Sequence, residues 1–364
     1  MMFSNNRVKF IAFVLAFITA ALTLCGCNDS TVRVKSKPAA SRDLTTTEGL
    51  ARSLKNIPTV EKIAPWSSEY GQGITITTAH YNIHTTMLEP LTLQRVPGFM
   101  ESAYRAYQQQ LPVPIETQNK FTVYLFGSRG QWERFTKKFA GKNADVYLKI
   151  QKGAYYLNGA CVTYNIGRAK TFSVLAHEGW HQFNSRHFAY RLPSWLDEGL
   201  ATQFENSNYK NGFYYFDPSR NGSRLGSLRR TLEENKAITI EKLLTLNPGE
   251  VVAHADLSAV MGFYAQSYAL VRFLKEDDYG RNLMKFQKML LDARTGDWPL
   301  DDKLKRMASD RNCPLTSGWN RYISPKLFSY YIADQNVMQD RYHQFCIKIA
   351  RIVKTNRTME ITHK

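Results

Sequence analysis

Apolar positions in the first part of the chain recur with a period of two, and in the later part with a period near 3.6. Residues 73–87, Gly-Ile-Thr-Ile-Thr-Thr-Ala-His-Tyr-Asn-Ile-His-Thr-Thr-Met, alternate in the manner of a strand, and Leu91 to Gln109 carries helical spacing. Phe121–Phe126 reads as a second strand, Gly127-Ser128-Arg129-Gly130 as a turn, Gln131–Phe139 as a helix and Ala154–Tyr164 as a third strand. From there helices dominate. Thr171–Phe183 places Phe172, Leu175, Ala176, Gly179 and Phe183 on one side as a buried stripe. Pro193 and Ser194 suit the start of the next helix, and Tyr268–Leu274 and Leu283–Leu291 are helical stretches beyond it. The pattern predicts an α+β fold, a small mixed sheet followed by a mostly helical half.

The amino terminus follows another pattern. Arg7 and Lys9 precede an apolar run from Phe10 to Leu24, and Leu24-Cys25-Gly26-Cys27 closes it. The run is short for a spanning helix and has the layout of an export signal. Its last four residues resemble a bacterial lipobox, which implies cleavage before Cys27, lipidation of Cys27 and an exported lipoprotein anchored to a membrane of the cell envelope. A plain secretory signal or an uncleaved anchor is the alternative, and the polar Asn28-Asp29-Ser30 counts against the latter. The organisation read from the chain is a signal peptide at 1–27, a flexible tether rich in Ser, Thr, Lys and Ala at 28–65, a catalytic domain at 66–275 and a helical extension of unassigned role at 276–364.

Composition narrows the class. With 43% apolar and 13% aromatic residues the 364-residue chain can bury a substantial core. A formal charge of +17 draws it toward anionic envelope surfaces. The basic residues are dispersed and accompany no nucleic-acid-binding motif, so no nucleic acid is expected. Near the end Lys348, Arg351, Lys354 and Arg357 are spaced like one solvated helix face. Once Cys25 leaves with the signal, Cys161, Cys313 and Cys346 remain beside the anchor, and a disulfide is open, with Cys313–Cys346 favoured by chain proximity and a free Cys161 the default.

Two motifs carry no chemistry on inspection. Gly127–Gly130 lacks the Lys-Ser/Thr pair and glycine spacing of a phosphate loop. His80 and His84 share a face if they lie on a strand, but no third ligand accompanies them, and an exposed strand face accounts for them.

A third motif does carry chemistry. His177 and His181 lie one helical turn apart, so both imidazoles can reach one ion, and Glu178 projects beside them. Imidazoles hold a divalent cation such as Zn²⁺ without neutralising it, and an adjacent carboxylate can take a proton from water. By chance five such letters turn up in about one protein in a hundred of this length, so the surroundings decide. They supply Leu192-Pro193-Ser194-Trp195-Leu196-Asp197-Glu198-Gly199-Leu200-Ala201, in which Glu198 falls one turn inside a second helix and can be a third ligand.

Together these motifs resemble the gluzincin zinc metallopeptidases, whose metal is held by the two histidines of HExxH and a glutamate in Trp-Leu-x-Glu-Gly-x-Ala. The resemblance implies a zincin-like domain with Zn²⁺ between two helices on His177, His181 and Glu198, Glu178 as general base and later acid, and a peptide or protein substrate. Sixteen residues separate His181 from Glu198, closer than in the aminopeptidase branch, and no Gly-x-Met-Glu-Asn element is present. A nearer likeness is to a bacterial family of uncharacterised peptidase-like domains that carries Tyr-Ala-Gln-Ser on a later helix, here Tyr264 to Ser267. In related gluzincins such a tyrosine donates to the oxyanion; Tyr264 is the matching position and Tyr268 the second, with core packing the plain alternative. Asp197 and Thr202 either orient the imidazoles or are solvated. The strand from Ala154 to Val162 resembles the edge strand on which gluzincins align a peptide, an inner strand being the alternative. The resemblance spans roughly residues 70–275.

Two rival readings share these residues: a metal-dependent hydrolase of a non-peptide envelope component, and a non-catalytic envelope scaffold with a structural zinc site.

Overall fold

In the computed structural model a six-stranded mixed sheet is built from β1 (Lys62–Ser68), β2 (Gly71–Thr77), β3 (Tyr81–Thr85), β4 (Phe121–Phe126), β5 (Ala154–Leu157) and β6 (Ala160–Tyr164). Their spatial order is β1-β2-β3-β4-β6-β5. β1, β2 and β3 are antiparallel neighbours, β3, β4 and β6 run parallel, and β5 turns back antiparallel on β6 as an edge strand. Around the strands lie α1 (Thr47–Leu54), α2 (Pro90–Leu93), α3 (Val96–Gln108), α4 (Arg129–Phe139) and α5 (Ala144–Leu148). The structure describes residues 44, 46–247, 257–311 and 317–361. The signal peptide, Cys27, most of the tether and Cys313 lie outside them, and Cys161 and Cys346 are buried free thiols.

The alternation of β4 decides how the sheet is sandwiched. Phe121, Val123 and Leu125 point into the main core, against α3 and the later helices, while Phe126 points the other way with Trp132 and Phe135 of α4. Each such side chain, fully buried, contributes about 1.5–3 kcal/mol.

The helical half consists of α6 (Arg168–His187), α7 (Ser194–Ala201), α8 (Gly222–Glu233), α9 (Ile240–Thr245), α10 (Leu257–Glu276), α11 (Leu283–Thr295), α12 (Asp302–Ser309), α13 (Ser317–Tyr331) and α14 (Gln335–Ile361). It is interrupted by one hairpin, β7 (Ser207–Lys210) and β8 (Phe213–Phe216).

The mixed α+β architecture agrees with the periodicities, and several boundaries differ. The strand expected over 73–87 is two strands joined at Thr78–His80, and that over 154–164 is a hairpin. Asn158 and Gly159 both take positive φ, 48° and 79°, as a two-residue primed turn requires. The helix expected over 91–109 is divided, because Glu89 caps a short first helix and Pro97 sits in the opening turn of α3. The tether is shorter than expected at its described end: α1 buries Leu50 and Leu54, and β1 pairs with β2 from Lys62 onward.

Arg42–Lys364 forms one compact unit, so the chain beyond 276 is no separate appendage. Asn320 of α13 accepts from the Ser194 backbone N–H at 3.1 Å and donates to the Ser194 hydroxyl at 2.8 Å. Trp195 donates its indole N–H to Ser324 at 2.7 Å. α7 lacks a side-chain cap of its own, with Pro193 at the N-cap, and α13 supplies one from 126 residues away.

Candidate metal centre

α6 buries Phe172, Leu175, Ala176, Gly179 and Phe183, the predicted stripe, and leaves His177, Glu178 and His181 half-buried on the other side. Its path is set by α3. Tyr107 donates its hydroxyl to the Ala176 carbonyl at 2.7 Å, and a side chain at Gly179 would place Cβ 2.5 Å from the Tyr107 hydroxyl oxygen. Opposite, α7 lies tight against α10: a Cβ at Gly199 would meet the Ser267 carbonyl oxygen at 2.6 Å and Val271 at 2.7 Å. The glycine beside Glu198 is therefore a spacing device that sets how closely α7 can approach its support.

The two helices bring three donor atoms together. Glu198 Oε2 lies 3.2 Å from His177 Nε2 and 3.6 Å from His181 Nε2, and the three ligand atoms fall within 4.8 Å of one another. Each histidine gives its other ring nitrogen to a carboxylate. His177 Nδ1 is 2.9 Å from Glu205 Oε1, and His181 Nδ1 is 3.0 Å from Asp197 Oδ1. That arrangement places N–H on Nδ1 and leaves both Nε2 lone pairs facing Glu198.

Glu198 Oε2 is buried and has no hydrogen-bond partner among the described residues. An acceptor oxygen directed between two acceptor nitrogens is repulsive unless a cation stands among them, so this donor set fits a metal ion. No family model matches this chain, and no curated protein is found to be similar to it. The reading of the site accordingly rests on its motifs and its geometry.

Without a metal, protons take the place of that cation. Burial alone would lower His177, but Glu198 and Glu205 more than offset it and raise its pKa to about 9. His181 is likewise opposed by burial and pushed well above its ordinary value by Asp197 and Glu198. Burial opposes the charge on Glu198 as well, yet the two imidazoles hold its carboxyl well below the usual range. Glu205, opposed by burial too, is held down to about 2 by Arg224 and His177.

Glu178 moves in the opposite direction. Burial raises its pKa, against the pull of both imidazoles and of a hydrogen bond from the Tyr156 backbone N–H of β5. The candidate base thus stands between the histidine pair and the sheet edge.

Tyr264 of α10 joins the cluster. Its ring centroid is 6.4 Å from that of His177, and the charge of Glu198, then burial, pushes its phenol well above its ordinary pKa. Tyr268, the second tyrosine considered, is fully buried in a different network, where Arg272 donates to its hydroxyl at 2.9 Å. Thr202 does not orient an imidazole, because its hydroxyl donates to the Gly199 carbonyl at 2.7 Å. Asp197 is no solvated helix residue either: besides His181, its Oδ1 accepts from Trp180 at 3.0 Å and Asn184 at 2.6 Å.

Glu205 and Arg224 escaped the sequence reading. Arg224 Nε donates to Glu205 Oε2 at 2.7 Å, and its guanidinium lies 5.1 Å from the centroid of the Tyr264 ring. One half-buried arginine therefore touches both the carboxylate behind His177 and the face of the candidate oxyanion donor. The one available signal for Glu205 was the general need of a ligating histidine for an acceptor behind it.

Proposed function

We propose that this protein is a zinc-dependent peptidase of the gluzincin type, exported and anchored to the cell envelope through Cys27. The observation that carries this reading is the convergence of His177 Nε2, His181 Nε2 and Glu198 Oε2, each imidazole backed by a carboxylate, with Glu178 adjoining. A two-imidazole, one-carboxylate set suits Zn²⁺. When bound, Zn²⁺ supplies a Lewis acid that polarises a carbonyl and acidifies water.

The chain's own groups carry the rest. Glu178 accepts a proton from the attacking water on its carboxylate and delivers it to the departing amide nitrogen; its burial-raised pKa suits a group that must both take and give. Tyr264 donates its hydroxyl hydrogen to the oxyanion, the expected role of a phenol kept protonated by the charge of Glu198. β5 is an edge strand, and the backbone of its Tyr156 is one of the groups that hold the Glu178 pKa down. A peptide added to that edge by main-chain hydrogen bonds would run past the general base.

The test is metal analysis and peptide-library cleavage of the full-length protein in detergent, beside Glu178→Gln. One equivalent of zinc in both proteins, with cleavage only in the wild type, supports a peptidase. Zinc in both with no cleavage in either turns the reading toward a scaffold or a non-peptide substrate, and absence of zinc ends it.

A further inference from the structure

Away from the metal ligands, the β7–β8 hairpin, α3 and the end of α10 enclose a cavity of about 510 Å³. Its volume falls in the range of small-ligand sites. Its lining contains two cations, Arg105 and Lys275, and no acidic residue. Lys275 Nζ meets only the neutral Gln110 Oε1, at 2.8 Å, because the neighbouring Glu276 is engaged by Arg272 at 2.6 and 2.7 Å. Burial accordingly lowers the Lys275 pKa. Arg105 reaches the Ser102 hydroxyl at 3.1 Å and lies over the Phe213 ring, 5.4 Å from its centroid. Neither cation pairs with a carboxylate among the described residues.

Two further features point to what is missing. Gln203 is 3% exposed and lines the cavity, and its Oε1 has no hydrogen-bond partner among the described residues, while Gln109 and Gln110 add amides to the same wall. The hairpin also holds three of the twelve large apolar side chains that stand exposed among the described residues, Tyr209, Phe213 and Tyr215, within ten positions. Phe213 and Tyr215 belong to the cavity and present flat, half-exposed rings.

We propose that this cavity binds an acidic sugar, a pyranose carrying a carboxylate. The carboxylate answers the two unpaired cations, hydroxyl groups answer the glutamine amides of the wall, and the C–H face of the ring packs on Phe213 and Tyr215. A purely aromatic acid would satisfy the rings and the charge but leave the amides unmet.

The experiment is calorimetric titration of the full-length protein in detergent with galacturonic acid trisaccharide, its methyl ester, maltotriose and phenylacetate. The acid should bind saturably and at least about tenfold more tightly than the ester or the neutral sugar, the loss expected when one charge-assisted hydrogen bond is removed. Lys275→Gln, which leaves Arg105 as the one cation of the wall, should cut the advantage of the acid over the ester. Tyr215→Ala, an exposed position that leaves the core intact, should weaken acid and ester alike by about three- to tenfold. The proposal is overturned if acid and ester bind equally, if phenylacetate saturates the cavity and the galacturonate does not, or if none of the three sugars binds.

Discussion

Two pairs of histidines in this chain have the same spacing, His177 with His181 and His80 with His84, and they end in opposite situations. On α6 four residues make about one turn, and the rings come to 5.0 Å centroid to centroid. At the start of β3 four residues of extended chain cover about 13 Å. There His80 Nδ1 turns to Glu101 at 2.7 Å, and His84 Nδ1 to Thr75 at 2.9 Å, with its ring stacked on Tyr124. Spacing becomes geometry only through the period of the element that carries it, and a third donor must then arrive from elsewhere. α7 brings one to the first pair; among the described residues no such cluster forms around the second.

The largest test of that difference is to remove each pair. His181→Ala should abolish stoichiometric metal binding, whereas His80→Ala combined with His84→Ala should leave the metal content at its wild-type value; retention of metal by the first, or loss by the second, would put the site elsewhere. On the proposed peptidase function Glu178→Gln, which keeps the helix with His177 and His181, should lower peptide hydrolysis by about 10²–10⁴-fold with metal content unchanged. An active variant would mean that Glu178 is not the base.

A subtler way to blur the contrast is to push α7 away. Gly199→Ala forces a methyl group against Ser267 and Val271, and overpacking of this kind costs about 1–3 kcal/mol. A lowered denaturation midpoint together with weaker metal binding is expected, and wild-type values for both would show that the helix contact is slack. Asp197→Asn, which leaves His181 a weaker acceptor, should reduce metal affinity by about 10–100-fold, read by competition with a chelator.

The smallest effect is on pH dependence, and its sign differs between the pairs. In chelated protein His177 titrates near 9, above its unfolded value of 6.5, so the stability from its ion pairs is complete below 6.5 and is lost as pH rises through about 9. Burial lowers His84 below 6.5, so the stability linked to it is complete above 6.5 and falls as pH drops through its lowered value. Melting temperatures of chelated wild type, His177→Gln and His84→Gln across that range should show an alkaline loss that disappears in the first variant and an acid loss that shrinks in the second. Identical profiles would remove the distinction.

The sequence by itself determined the class of most elements, though not all their divisions, and the residues of the candidate donor set. The 3.6 period defined α6 and its buried stripe, the two-residue period defined Phe121–Phe126, and the motifs brought His177, Glu178, His181 and Glu198 forward, because short-range spacing on one regular element is enough to state which side chains share a face. Asn158-Gly159 was a readable hairpin signal inside a stretch whose apolar content pointed to a single strand. What only the tertiary structure decided lies across long separations. Glu205 stands behind His177 from 28 positions away, and Arg224 lies behind Glu205; Asn320 caps the helix of Glu198 from 126 positions away. None of these contacts leaves a local period, since each satisfies a polar group that becomes unpaired only when the helices pack and exclude water.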